Sequence, residues 1–158
     1  MKNVKFTILA LAMAFGFVAC NDDSVSEDYA KEIAGTYNGT LTWKVGSTEK
    51  TPETSVVVTQ TGENLVTVTI YKDPNSTGER DFNYDIPVEK VEVKKDGSIY
   101  TLAKTAITQI INNKGETIES TGSLWGTITE GKIALNFNFK PGAMPMDIEC
   151  TFEGKLSE

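Results

Sequence analysis

Apolar and polar residues alternate along most of the chain after residue 36, with the two-residue period of a half-buried β-strand. In TYNGTLTWKV, one face has Tyr37, Leu41 and Trp43, and the other has mainly polar side chains. Residues 105–113 fit either a strand or a turn of helix. The same period predicts strands around residues 56–58, 66–70, 82–88, 100–102, 124–128, 133–139 and 146–152, with Phe82, Tyr84 and Met146 among the inward positions.

Turn-forming segments separate these runs, namely QTGEN, DPNSTGER, KKDGS, NNKGE, TEGK and KPGA. Five of them, all but DPNSTGER, contain a glycine where a hairpin turn needs a positive φ. About eight antiparallel strands therefore follow one another as hairpins. This arrangement predicts an all-β fold, an up-and-down barrel, because closure hides the edge strands. An immunoglobulin-type sandwich is disfavoured, since its Cys, Trp, Cys core set is missing.

A short helix is predicted just before the first strand. Ser24 and Glu27 have the spacing of a capping box, and Tyr29 and Ile33 lie one helical turn apart. Gly35 then ends the helix. We expect Tyr29 and Ile33 to pack against the barrel.

The first twenty residues have the features of a secretory signal. Lys2 and Lys5 precede an apolar run over residues 6–18, which is shorter than a membrane-spanning helix, and Ala19 ends it. FVAC resembles the lipobox of bacterial lipoproteins, in which the cysteine, here Cys20, receives the lipid. An ordinary signal peptide cleaved near Ala19, which leaves Cys20 as a free or paired thiol, is the alternative.

Three segments follow from this interpretation: a lipoprotein signal peptide at 1–19, a lipidated cysteine with an acidic tether at 20–28, and a barrel domain at 29–158. NDDS after Cys20 is similar to the acidic stretch that sends some lipoproteins to the cell surface. We therefore predict an outer-membrane lipoprotein of the cell envelope, with its barrel exposed at the surface rather than facing the periplasm. An acylated Cys20 cannot pair with Cys150, which is predicted to be a small inward hydrophobe.

Charge and composition narrow the function classes. The chain has 15 basic and 22 acidic residues and no histidine. The net negative charge disfavours nucleic acid and anionic lipid surfaces as partners. Histidine, the commonest general base and metal ligand in proteins, is missing from the sequence. Residues 73–84 partly match a calcium loop, but Tyr84 stands where the bidentate Glu is required. We predict no enzyme activity, no cofactor and no metal site.

Four blocks resemble the calycin-like β-barrel domain of small bacterial lipoproteins, which is distantly similar to lipocalins. They are IAGTYNGTLTW, VVVTQTGENLVTVTI, STGSLWGTITEGKIALNF and KPGAMPMDIECTFEGK. The resemblance implies an eight-stranded barrel with a short N-terminal helix on a lipoprotein, and no established activity. Gly35, Thr36 and Tyr37 correspond to the Gly-x-Trp of lipocalins, with Lys155 as the basic partner.

The barrel interior is either filled or open to one small ligand. If it is open, its predicted ligand-binding residues are Tyr37, Trp43, Phe82, Tyr84 and Phe137. Two further residues are predicted partner contacts, Trp125 and Met144. Trp125 points outward by the alternation, or inward if Gly122 and Gly126 mark a bulge. Met144 either contacts a partner or lies in a loop that caps the core.

Two functional hypotheses follow. The first is a lipid-anchored, non-catalytic barrel that binds a small apolar or amphiphilic ligand. The alternative is a filled barrel that acts as a protein-interaction, accessory or inhibitor subunit at the cell envelope.

Overall fold

A computed structural model describes residues 27–78 and 81–158, in which one helix precedes nine antiparallel strands. The elements are α1 (Tyr29–Ile33), β1 (Gly35–Val45), β2 (Thr48–Lys50), β3 (Glu53–Gly62), β4 (Leu65–Ile70), β5 (Ile86–Asp96), β6 (Ile99–Ile111), β7 (Thr117–Thr129), β8 (Lys132–Pro141) and β9 (Ile148–Leu156).

Eight of these strands close into an up-and-down barrel, as predicted. β1 and then β3 to β9 pair in chain order, and β9 returns to β1 along a register from Tyr37↔Leu156 to Lys44↔Glu149. The three residues of β2 pair only with the end of β1 and form a short hairpin outside the barrel wall. Residues 105–111 complete β6, so the ambiguous segment is a strand for most of its length.

Helix α1 closes one end of the barrel. Ile33 is buried, and the Tyr29 amide donates to Asn64 Oδ1 at 2.9 Å. Glu32 forms an ion pair with Lys95 of β5 at 2.8 Å. The helix N-cap is Asp28, whose side chain makes no capping hydrogen bond to the helix. The predicted cap, Ser24, lies outside the described residues.

The opposite end is covered by the connection from β4 to β5, of which residues 71–78 and 81–85 are described; we call it the 71–85 loop. Phe82 and Tyr84 belong to this loop, so the prediction that they lie on a strand is wrong. The loop keeps the alternation because its side chains face the same core, and Phe82 is only 1% exposed. Backbone bonds hold its two ends, from Asp73 N to Phe82 O at 3.0 Å and from Asp85 N to Ile111 O at 2.8 Å.

The interior is one continuous cluster of buried apolar side chains. Its wall is tight where β1 meets β9, because Gly39 and Gly154 face each other. A Cβ at Gly39 would overlap the Glu153 carbonyl oxygen, so only glycine allows this approach. A Cβ at Gly154 would lie 2.6 Å from the Phe152 ring, which fills the space that the glycine leaves.

Candidate functional site

Aromatic rings meet beneath the 71–85 loop. The ring centroid of Phe139 lies 6.1 Å from that of Phe82, 5.5 Å from that of Tyr84 and 6.4 Å from that of Phe137. The structure therefore brings together three of the five predicted ligand-binding residues. Phe139, at their centre, was not among the predicted site residues, although it continues the alternation two positions after Phe137.

Trp43 belongs to the same end of the barrel. It lies opposite Cys150 of β9, which in turn lies opposite Phe137 of β8. The Trp43 side chain is 7% exposed, and its Nε1–H has no hydrogen-bond partner among the described residues. Buried donors of this kind are rare in folded proteins, because the lost hydrogen bond to water is not replaced.

Tyr37 lies apart from the other four residues. It is six positions before Trp43 on β1, roughly 20 Å away at the rise of a strand. Its hydroxyl donates to the Ile33 carbonyl at 2.8 Å, and burial raises the pKa of Tyr37 to about 12. Tyr37 is therefore a buried aromatic residue at the α1 end of the barrel. Lys155, its expected basic partner, instead faces outward on β9 and is exposed.

The interior is filled by side chains, which is one of the two arrangements that the sequence allows. Buried side chains from all eight barrel strands contact one another, and the loop at one end and α1 at the other end add Phe82 and Ile33. Cavities of about 610 and 540 Å³ lie on the outside of the wall instead. Two buried polar side chains of the wall, Thr54 and Ser120, donate to backbone carbonyls at 2.8 and 3.1 Å.

Trp125 points outward from β7 and is 39% exposed. The register of β6 and β7 shifts twice. Beside Gly122, β7 has one residue more than β6, and Trp125 nevertheless points outward. Opposite Trp125, β6 has two residues, Ala103 and Lys104, between the pairs Leu102↔Gly126 and Thr105↔Leu124, whereas β7 has one. Such a bulge redirects a side chain. The Lys104 ammonium lies 5.1 Å from the Trp125 ring centroid as a result.

Met144, the other predicted partner contact, is half-buried and packs against the core. It therefore lies in a loop that caps the barrel, and a partner contact through it remains a prediction. Met146 is 47% exposed, so its predicted inward position is wrong. The alternation of β9 does not extend to it because the strand begins only at Ile148.

Cys150 faces the interior, as predicted. Burial raises the pKa of its thiol well above the usual range, which disfavours the reactive thiolate. Cys20, the proposed lipid attachment residue, lies outside the described residues, together with the predicted signal peptide and most of the tether.

The loop that resembles a calcium site uses its carboxylates internally. Asp81 accepts hydrogen bonds from the Thr77 and Gly78 amides and from Lys50 Nζ at 2.7 Å, which lowers the pKa of this carboxyl to about 2. Among the described residues, no group of three or more acidic or cysteine side chains could hold a metal ion. The same residues contain no helix with the length and hydrophobicity that crossing a bilayer requires.

Two comparisons place the chain among known proteins. Residues 33–155 match the family model described as a calycin-like beta-barrel domain. A crystal structure of a proposed outer membrane protein of Bacteroides fragilis is 28% identical, with a TM-score of 0.68, and the match covers 81% of this chain and 52% of that one. The chain thus spans about half the length of that structure. No curated protein matches it.

Proposed function

Because the chain belongs to the calycin-like β-barrel domain family, we propose that it is a non-catalytic binding module of the bacterial cell envelope that holds its partner on the outside of the barrel. The filled interior supports this function most strongly. The interior of an eight-stranded barrel is just wide enough either to be filled by its inward side chains or to hold one small ligand. Here Phe82, Phe137 and Phe139 occupy that volume.

Anchoring through Cys20 belongs to the same proposal. The secretory signal at 1–19 and the lipobox-like FVAC support a lipid anchor, and the similarity to a proposed outer membrane protein supports the location. The acidic NDDS supports exposure at the cell surface. Two or more acyl chains give stable attachment at about 0.8 kcal/mol per buried methylene, so a water-soluble barrel needs no other anchor.

A small apolar or amphiphilic ligand inside the barrel is the second candidate function. The unpaired Nε1–H of Trp43 favours it, because a polar atom of a ligand could accept that hydrogen bond. Such a ligand would have to displace Phe82 from beneath the loop, since Phe82 packs against the rings of Tyr84 and Phe139.

Native mass spectrometry of the full-length protein isolated from its own host separates the two functions. An outer-face module has the mass of the polypeptide and its acyl chains alone. A stoichiometric additional mass that organic extraction removes would instead assign the interior to a ligand. The same spectrum tests the anchor, since a Cys20 to Cys150 disulfide without acyl mass would contradict lipidation.

A further inference from the structure

Trp125 begins a row of outward side chains that crosses four strands. The register pairs Trp125 of β7 with Asn136 of β8, Asn136 with Thr151 of β9, and Thr151 with Thr42 of β1. Neighbouring strands lie about 4.8 Å apart, so Trp125 and Thr151 are roughly 10 Å apart on the surface. We call these four residues the Trp125 row.

The row has no formal charge in a chain with seven more acidic than basic residues. It offers one indole, one amide and two hydroxyls. The next row of the wall, toward the α1 end, pairs Thr101 with Thr127 and Thr127 with Ala134, so it is neutral over β6, β7 and β8, and it continues to Glu153 on β9. A shallow groove of about 540 Å³ runs between the two rows, beside Trp125 and Asn136.

The uncharged side chains of the Trp125 row favour one class of partner over others. A protein hot spot needs a large apolar surface around its aromatic anchor, whereas the groove beside Trp125 combines the small side chains of Ala103 and Ala134 with the polar ones of Thr127 and Asn136. An anionic polymer needs a basic patch, and Lys104 is the one cation among the described residues that line the groove. A neutral sugar fits, because its C–H face stacks on an indole and its hydroxyls pair with amide and hydroxyl side chains.

The indole is also held in place for stacking. Lys104 reaches Trp125 only because the β6 bulge turns it toward the same face. A cation over an indole restricts the motion of the ring, which lowers the entropy lost when a ligand packs against it. Bulges are over-represented next to active sites, where they redirect a side chain.

We infer that the Trp125 row and its groove bind a neutral carbohydrate, with Trp125 as the stacking platform and Asn136 as a hydrogen-bonding residue. The inference rests on the proposed outer-face function and names the ligand class of that face.

Affinity electrophoresis of the full-length, detergent-solubilised protein tests the inference. Native gels contain an α-glucan, a β-glucan, a xylan, a mannan or a galactan, with polygalacturonate as an anionic comparison. We expect at least one neutral polysaccharide to retard the wild type. Trp125→Ala should raise the dissociation constant about tenfold or more, and Asn136→Ala about three- to tenfold.

Tyr71→Ala is the matched control, because Tyr71 is a second exposed aromatic, 41% exposed and outside the Trp125 row. It should bind like the wild type. Trp125→Ala should fold normally, since the side chain lies outside the core, and its circular dichroism checks this.

Three results would overturn the carbohydrate assignment. The first two are no retardation by any neutral polysaccharide and retardation that Trp125→Ala leaves unchanged. The third is a dimer that Trp125→Ala separates into monomers, which would assign this face to a second copy of the chain. None of these results adds an extractable mass to the native spectrum. Failure of the inference is therefore distinguishable from failure of the proposed function, which that spectrum reports.

Discussion

Phe82 seals the barrel, and its replacement measures how completely the interior is filled. The side chain is 1% exposed and packs edge-to-face against Tyr84 and Phe139, with ring centroids 6.3 and 6.1 Å away. Phe82→Ala removes the ring and leaves a void beneath the 71–85 loop. If the interior were an open pocket, the ring would have few contacts to lose.

The expected cost is about 3 kcal/mol of unfolding free energy. Buried Phe→Ala substitutions cost about 3–5 kcal/mol, and a loop collapses into a void more readily than a strand, which favours the lower end. Each edge-to-face aromatic pair contributes about 0.5–1.5 kcal/mol in addition to the free energy of burying the rings, so the two pairs account for a substantial part of the expected loss. Phe82→Leu should cost roughly half as much, because it keeps most of the volume.

Equilibrium unfolding in urea, followed by circular dichroism and by tryptophan fluorescence, gives this free energy. Tyr71→Ala is the control, because Tyr71 follows β4 in the same loop but is exposed, and we expect a change within about 0.5 kcal/mol. A Phe82→Ala protein as stable as the wild type would refute the reasoning, since the interior would then not depend on that ring.

Two further predictions concern the wall and the buried thiol. Gly39→Ala should lower the unfolding free energy by more than about 3 kcal/mol, because the added Cβ overlaps the Glu153 carbonyl oxygen. Gly115→Ala is the control: Gly115 has φ +79 and open space around it, so the substitution should cost about 1–2 kcal/mol. Similar urea midpoints for the two variants would contradict the close approach of β1 and β9. Burial raises the pKa of Cys150, so only the unfolded state ionises near pH 9, and stability should fall as pH rises above that value. Urea unfolding at pH 7 and 9.5 measures this, and Cys150→Ala should show a smaller decrease; an equal decrease in both proteins would exclude the thiol as its source.

Alternation predicted the strands wherever tertiary packing follows the local pattern. β1, β8 and β9 lie where the period of two is most regular, and eight barrel strands result. Alternation shows which way side chains face and not whether a backbone is hydrogen-bonded as a strand. Phe82 and Tyr84 therefore kept the pattern within a loop. Met146 also continues the pattern, but it precedes the first residue of β9, Ile148, so no strand pairing turns it inward and it is exposed.

The orientation of Trp125 could not be decided from its own neighbourhood. Gly122 and Gly126 are typical of a bulge, and β7 does have an extra residue beside Gly122, at Ser120 and Thr121. The bulge opposite Trp125, however, is at Ala103 and Lys104 on the paired strand. Strand pairing sets that register, and the contact between Lys104 and Trp125 joins residues 21 positions apart. The filling of the interior likewise depends on how close the strands approach, which Gly39 and Gly154 control jointly.

Oxidative footprinting of Trp125 on intact cells tests most directly whether the partner lies on the outside of the barrel. Hydroxyl radicals oxidise exposed indoles and phenols, so the oxidation rates of Trp125 and Tyr71 are compared between the purified protein and the cell that produces it. We predict that Trp125 reacts more slowly on the cell, relative to Tyr71, because a partner covers it. An unchanged ratio of the two rates would contradict binding through the Trp125 row.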